Sequence, residues 1–548
     1  MKKTLLLVFL LLLLFAFAAC APAETTPPDG GDATPESEGT EGTEEATAGG
    51  EKQLIIAVNP DYESFDPAIA YEVYGMLVLH ACYDNLFEFQ DSLENLALGA
   101  AESYEVSEDG MTYTFKLKEG MVFASGNPMT SADVKWSFER GINMKGNGAF
   151  MGDGIVSIET PDDLTVVIQL SAPDPSFPTK LSYNVFSIMD SVLATEHGAT
   201  NAENAAEVDT AKTWLDSNSA GSGPYYIESY TPKVEVVLAR NENYYGEAPY
   251  YDKISIKTVV DSNTQVMMLQ AGDVDIAMNV DPEQAKSLEG VEGIEVKDAQ
   301  SLTVSFLLMN RDPEVGGPVA DPTVQKAIRL ALDYPGIQTI AGPGMVTPVA
   351  PFPIGLFGSL PAMDVSEYPK TEEALALMEE AGYADGFTVD FYVPTTIVAG
   401  VDFSLLSQKI QSDLSTIGIQ TNIIPEDVTI SLETYRTGKQ PLGLWYWNPD
   451  YPDNNSQLAF LPGQSVGLRA NWTADMNPEL AELAIEAASI VDEDAREEAF
   501  ATIQEMMQED TPFACLLQHT SQYAIDSSLQ GVEYIDRYKF DLKAISGE

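Results

Sequence analysis

The chain is 548 residues long and carries 85 acidic against 28 basic side chains, a formal net charge of -57, with 45% hydrophobic and 9% aromatic residues. So much apolar side chain argues against a disordered protein despite the charge, and at ~150 residues per domain the length suggests several lobes. Sparse Lys and Arg argue against a nucleic acid partner and against docking on anionic lipid through a basic patch. With three Cys and three His, a disulfide scaffold or a His/Cys-rich metal site is not expected, and nothing calls for a cofactor.

Lys2 and Lys3 precede an apolar run from Leu5 to Ala19. That run is short of the ~20 residues of a spanning helix and reads as a secretory signal, residues 1–19. Phe17-Ala18-Ala19-Cys20 resembles a bacterial lipoprotein cleavage box, which implies lipidation of Cys20. Residues 21–50 hold no Lys, Arg or aromatic residue. Such a segment cannot bury enough apolar surface to order itself and reads, with Cys20, as an acidic tether over 20–50. Cys82 and Cys515 sit in apolar runs and read as buried thiols, with a bridge between them as the alternative.

From residue 51 onward strand and helix signals alternate. Residues 54–58 form a short apolar strand that ends at Asn59-Pro60; residues 113–118 alternate with period two, and 164–170, 234–239 and 254–260 read as further strands. A helix is expected over 131–140 after a Thr130 or Ser131 cap, with Val134 and Phe138 on one face. Another is expected over 322–333, where Asp321 caps and Pro322 takes the first helical position. A third opens at Asn477-Pro478, with Leu480, Leu483, Ala484 and Ala487 as its stripe. The mixture predicts a multi-lobed α/β (α+β mixed) body.

Chemistry-bearing motifs are few. His80, His197 and His519 have no neighbours at metal-ligand spacing, and no phosphate-binding Gly-rich loop occurs. Gly463-Gln464-Ser465-Val466-Gly467 fits the nucleophile-elbow pattern, with Asp475 and His519 following in triad order. That elbow requires a strand-turn-helix, and Pro462 before it argues for a surface loop. More informative is the stretch from Leu444 through Trp445, Tyr446, Trp447, Asn448, Pro449, Asp450, Tyr451 and Pro452 to Asp453 and Asn454. On a strand, Trp445 and Trp447 share a face, and the two prolines then end it with Asp450 at its mouth. Aromatic walls around one carboxylate suit a ligand with an apolar body and a cationic end; core aromatics beside a solvated acidic turn are the alternative.

Several ordered blocks resemble the extracytoplasmic solute-binding proteins of family 5, the dipeptide/oligopeptide-binding subunits of ABC importers. Ser64-Phe65-Asp66-Pro67 and Cys82-Tyr83-Asp84-Asn85-Leu86-Phe87 are similar to the family's opening signature. Leu117-Lys118-Glu119-Gly120-Met121-Val122-Phe123 with Asn127-Pro128-Met129-Thr130-Ser131-Ala132-Asp133-Val134 resembles its most recognisable block. Gly221-Ser222-Gly223-Pro224-Tyr225, Tyr244-Tyr245-Gly246, and Asp321-Pro322 through Leu332-Asp333 also fit.

The resemblance implies a two-lobed periplasmic-binding-protein-like fold of type II with an extra insertion. Lobe I would comprise 51–88, 213–301 and 508–548, the insertion 89–212 and lobe II 302–507, with crossing strands over 301–310 and 512–519. It implies that Asp450 meets a peptide's α-ammonium, with Trp447, Tyr451, Asn448 and Trp445 around it. Leu444 stands where some members carry an Arg, and Arg469 is the candidate anchor for the ligand's carboxylate. Gly221 and Gly223 are expected as turn formers. The implied partners are a short peptide or other small solute, an ABC permease with its ATPase, and the membrane through the N-terminal lipid only, with the protein a monomer on the outer face of the cytoplasmic membrane or in the periplasm. Another solute, such as an oligosaccharide, a nickel chelate or an opine-like compound, is the alternative within the family. A secreted serine hydrolase using Ser465 is the alternative outside it.

Overall fold

The computed structural model describes residues 51–60, 62, 64–90, 92–93 and 95–547. The expectations for residues 1–50, the signal, the Cys20 lipid and the tether, lie outside the described residues. Residues 51–548 cluster as one compact unit.

Its frame is a ten-stranded mixed sheet. From one edge to the other the strands are Ile419–Glu426, Phe387–Pro394, Leu442–Trp447, Ile294–Met309, Phe513–Asp526, Ile276–Val280, Gln53–Val58, Lys253–Thr258, Glu235–Arg240 and Tyr225–Thr231. The two central strands are the longest, 16 and 14 residues, and pair antiparallel from Ile294↔Asp526 to Leu308↔Phe513. Their pairing shifts register between Gln300 and Val304. Both begin or end several residues beyond the segments 301–310 and 512–519, because Ile294–Gln300 is largely polar and keeps pairing through its backbone.

A separate four-stranded antiparallel sheet takes Ala101–Val106, Thr112–Leu117, Thr165–Leu170 and Ile155–Asp162 in that order. Thr112–Leu117 buries every second side chain, Tyr113, Phe115 and Leu117, as its period-two pattern requires. This sheet has no core of its own: Phe115, Val166 and Ile168 share one apolar cluster with Ile56, Leu77, Tyr225, Ile254 and Phe540. Two other clusters lie on opposite faces of Leu442–Trp447, one holding Leu442 and Leu444 and the other Trp445, Trp447 and Phe460.

Caps set the helix boundaries. Ser131–Asn143 follows Thr130, whose N–H donates to the Asp133 carboxylate at 2.9 Å, and it buries Val134 and Phe138 fully. Pro322–Ala331 starts after Asp321, which accepts from the Thr323 N–H at 2.8 Å; it stops before 333, and a second helix, Tyr334–Ala341, follows. Pro478–Ala487 is capped by Asn477. Arg140 on the first of these helices grips Asp66 with both Nη atoms at 2.7 Å and Asp209 through Nε at 2.9 Å, all out of solvent.

Gly221 and Gly223 are glycine for a reason other than a left-handed turn. Neither has a positive φ. A Cβ on Gly221 would lie 2.0 Å from the Cys82 carbonyl oxygen, and one on Gly223 2.6 Å from that of Ala81, so close backbone approach is what demands glycine there. Cys82 and Cys515 are free and buried, and no disulfide joins them; burial pushes the Cys82 thiol up to about 12. Among the described residues no helix is long and apolar enough to cross a membrane.

Candidate functional site

Strand Leu442–Trp447 ends where Asn448-Pro449 begins, because Pro449 and Pro452 have no N–H to continue a ladder. The loop is pinned at both ends. The Asp450 N–H donates to Ser456 Oγ at 3.1 Å, and Asp453 caps the short helix Asn454–Phe460 while pairing with Arg496. A second loop faces it: the hairpin Tyr534–Ile535/Lys539–Phe540, with Asp536, Arg537 and Tyr538 at its tip. Lys539 holds this tip through Asp536, at 3.0 Å to its carbonyl and 3.2 Å to its carboxylate.

Between the loops lies a cavity of about 120 Å³. Asn448, Pro449, Asp450 and Pro452 wall one side; Tyr71, Tyr183, Asp536 and Arg537 wall the other. Tyr71 Oη donates to Asp450 Oδ1 at 2.5 Å, a link across 379 residues of chain. No Lys, Arg or His nitrogen among the described residues comes within 4.0 Å of the Asp450 carboxylate. Burial raises its pKa above the usual carboxylate range, and the Tyr71 hydrogen bond and the Arg469 charge only partly oppose this. Asp536 is the reverse case. Burial opposes its charge too, but Lys539, Asn448 and the Leu302 N–H hold its pKa below the ordinary value.

The expected site residues divide. Asp450 and Asn448 line the cavity, and Asn448 Nδ2 donates to Thr303 Oγ1 at 3.0 Å and Asp536 Oδ2 at 3.1 Å. Trp447 stands behind that wall, edge-on to Phe460 at 5.6 Å, with its buried Nε1 unpartnered. Tyr451 is buried beside Lys180, 5.0 Å from its ring, and does not line the cavity. Trp445 shares a face with Trp447 as the period-two reading requires, but that face is core. It is 3% exposed, stacks on Tyr435 at 4.3 Å and donates Nε1–H to Gln440 at 2.7 Å. Its place as a ligand wall is therefore corrected. Arg469 lies over the rings of Tyr435 and Trp447 at 4.8 and 5.5 Å and is not among the cavity walls.

Tyr71, Tyr183 and Arg537 went unread in the sequence. The one available signal was arithmetic: in so acidic a chain an Arg is rare enough that each merits a stated reason. The elbow around Ser465 is not formed. Ser465 is exposed in a turn with no strand before it, Asp475 is exposed in another short helix, and His519 is fully buried with Nε2 2.6 Å from Ser305 Oγ. Burial lowers the His519 pKa to about 4.

The body is mixed α/β, and its cavity sets Asn448, Asp450, Asp536 and Arg537 among aromatic and apolar walls. The family model for bacterial extracellular solute-binding proteins, family 5 Middle, matches residues 95–467, more than half of the chain, and the chain belongs to that family. Its members carry small solutes to ABC importers outside the cytoplasm, and the relatives are binding proteins rather than enzymes. One relative is the "Probable D,D-dipeptide-binding periplasmic protein DdpA" of Escherichia coli (strain K12), 27% identical over 493 residues, 87% of this chain and 90% of its own length. Heme-binding protein A of Haemophilus influenzae is 24% identical and covers 79% of this chain and 80% of itself. The structure of the periplasmic binding protein DppA from Helicobacter pylori in complex with peptide STSA superposes with a TM-score of 0.71 at 23% identity, covering 91% of this chain and 99% of that one.

Proposed function

We propose that this protein captures short peptides between two lobes and delivers them to an ABC permease. The observation that carries this reading is Asp450: a half-buried carboxylate walling a cavity, bonded to one tyrosine hydroxyl and in an ion pair with no cation among the described residues. Burying such a charge unpaired costs several kcal/mol, and a peptide's α-ammonium supplies the missing partner. A neutral sugar offers no cation there. The relatives' names support the range of solutes in the family, and those that bind peptides agree with this chemistry.

The mechanism follows from which segments meet at the cavity. The 302–507 segment contributes Asp450, and 51–88, 89–212 and 508–548 contribute Tyr71, Tyr183 and Arg537. If these segments form the two lobes that the family resemblance implies, the ligand is sealed when they close about the central strands. The Tyr71–Asp450 hydrogen bond then joins the lobes in the closed form. The docked closed form is what a permease would recognise. Phe17-Ala18-Ala19-Cys20 supports a lipid anchor at Cys20, holding a monomer at the outer face of the cytoplasmic membrane.

Calorimetric titration with di- to pentapeptides tests the reading. Binding is expected, and Asp450→Ala is expected to weaken it by about 3–5 kcal/mol, the scale of leaving one buried charge without its partner. An unchanged dissociation constant would remove Asp450 from the site, and no heat with any peptide would remove the peptide reading.

A further inference from the structure

Resting on that reading of Asp450, we propose that Arg537 is the anchor for the ligand's carboxylate, so that the solute is a compact zwitterion whose two ends are held in one cavity. Arg537 and Asp450 line the same cavity from opposite loops. Neither forms an ion pair with any described residue. The neighbouring acid, Asp536, favours the Arg537 charge only from a distance: its ion pair is with Lys539, at 3.2 Å. What Arg537 does have is flat and neutral: its guanidinium lies 3.5 Å over the Tyr183 ring, and one Nη2–H donates to Asn184 Oδ1 at 3.3 Å. Its Nε is buried with no hydrogen-bond partner.

A guanidinium offers five donors in a planar fork that matches a carboxylate. Here the fork is fixed by stacking, drawn partly out of water and short of an acceptor. The Tyr71 and Tyr183 rings, 6.0 Å apart, stand between the two charges, with Tyr71 bonded to Asp450 and Tyr183 under Arg537. The unliganded cavity therefore holds one positive and one negative end that proteins rarely leave unanswered.

Size selects among zwitterions. The cavity of about 120 Å³ is well below the ~300–1,000 Å³ typical of drug-sized sites. Two extended residues reach at most ~7 Å, so a dipeptide can present an ammonium and a carboxylate a few ångströms apart. Longer peptides would carry their carboxylate away from Arg537. Arg469, stacked over Tyr435 and Trp447 outside the cavity walls, leaves this role to Arg537.

The test compares Ala-Ala, its C-terminal amide and its N-acetyl form by calorimetry, on the wild type and on Arg537→Gln and Arg537→Lys. The wild type should prefer the free acid over the amide by about 10- to 100-fold, the range for hydrogen bonds to charged groups. Arg537→Gln should abolish that preference and Arg537→Lys should keep part of it. Equal affinity for acid and amide in the wild type, or an unchanged ratio in Arg537→Gln, would overturn the Arg537 assignment while leaving the role of Asp450 intact. Equal affinity for the N-acetyl form would instead overturn the Asp450 reading, and with it the two-ended ligand. Absence of binding by all three forms would overturn both. Should Arg537→Gln fail to fold by circular dichroism, the wild-type acid-to-amide ratio decides by itself.

Discussion

Asp450 has two thermodynamic faces with opposite pH dependence. Its pKa is raised chiefly by burial, with Tyr71 and Arg469 pulling it back in part. A carboxyl raised in the folded state binds its proton more tightly there than in the unfolded chain. Its contribution to the stability of the unliganded protein is therefore fully present below the ordinary carboxylate pKa and is lost as pH rises through the raised value. Ligand binding runs the other way, because only the ionised form meets an ammonium. Peptide affinity should fall as pH drops through a window lying above the usual carboxylate range, with proton uptake on release of the ligand. Asp450→Asn should remove both effects: weak, pH-flat binding, and an unliganded protein more stable than wild type at neutral pH, the gap closing on acidification. Calorimetry and thermal melts from pH 7.5 to about 4.5 check both, and a wild-type affinity that is flat over that range contradicts the assignment.

At the scale of elements, the opening signature is explained by an ion network rather than by ligand contact. Asp66, in the Ser64–Pro67 stretch, is held bidentately by Arg140 of helix Ser131–Asn143, and Asp209 completes the shell. Burial works against the Arg140 charge, but the two carboxylates more than offset it and leave its pKa above the usual value. Arg140→Met leaves two buried acids unpaired and should destabilise the fold by about 3–5 kcal/mol in urea titration, with ligand specificity unchanged; a loss under ~1 kcal/mol would mean water reaches the acids. Local pattern made such elements legible. Thr112–Leu117 was readable from its alternation, Pro478–Ala487 from its cap, and the end of Leu442–Trp447 from Pro449 and Pro452. The cavity was legible only on the Asp450 side. Tyr71 and Tyr183 precede Asp450 by hundreds of residues and Arg537 follows it in a separate hairpin, and no spacing connects them. Trp445 misled for a related reason. Two Trp on one strand face look alike whether ligand or protein covers that face, and here Tyr435 from helix Val428–Arg436 covers it.

For the molecule as a whole the governing quantity is its charge of -57. Buried acids such as Asp66 and Asp209 are paired, and apart from a limited set of ion pairs the excess acids have few cations to meet them. Self-repulsion of that excess opposes the compact state and is long-ranged, so it responds to screening: the Debye length falls from ~30 Å at 0.01 M salt to ~10 Å at 0.1 M. Surface ion pairs such as Lys326–Glu509 weaken with salt as well, but each contributes only ~0–1 kcal/mol. Repulsion should win, and the melting temperature should rise with sodium chloride from 0.01 to about 0.5 M before levelling. A melting temperature that falls over that range would show that the ion pairs dominate instead. The same field acts on ligands. A zwitterion carries no net charge, so its association should be nearly independent of salt, whereas a peptide with an added Lys is drawn in by the field and should associate more slowly as salt is added. Stopped-flow association of Ala-Ala and Ala-Lys, compared across the same salt series, separates the attraction of the whole surface from the two local charges at Asp450 and Arg537. A strong salt dependence for Ala-Ala would mean that the surface field, not those two groups, governs capture.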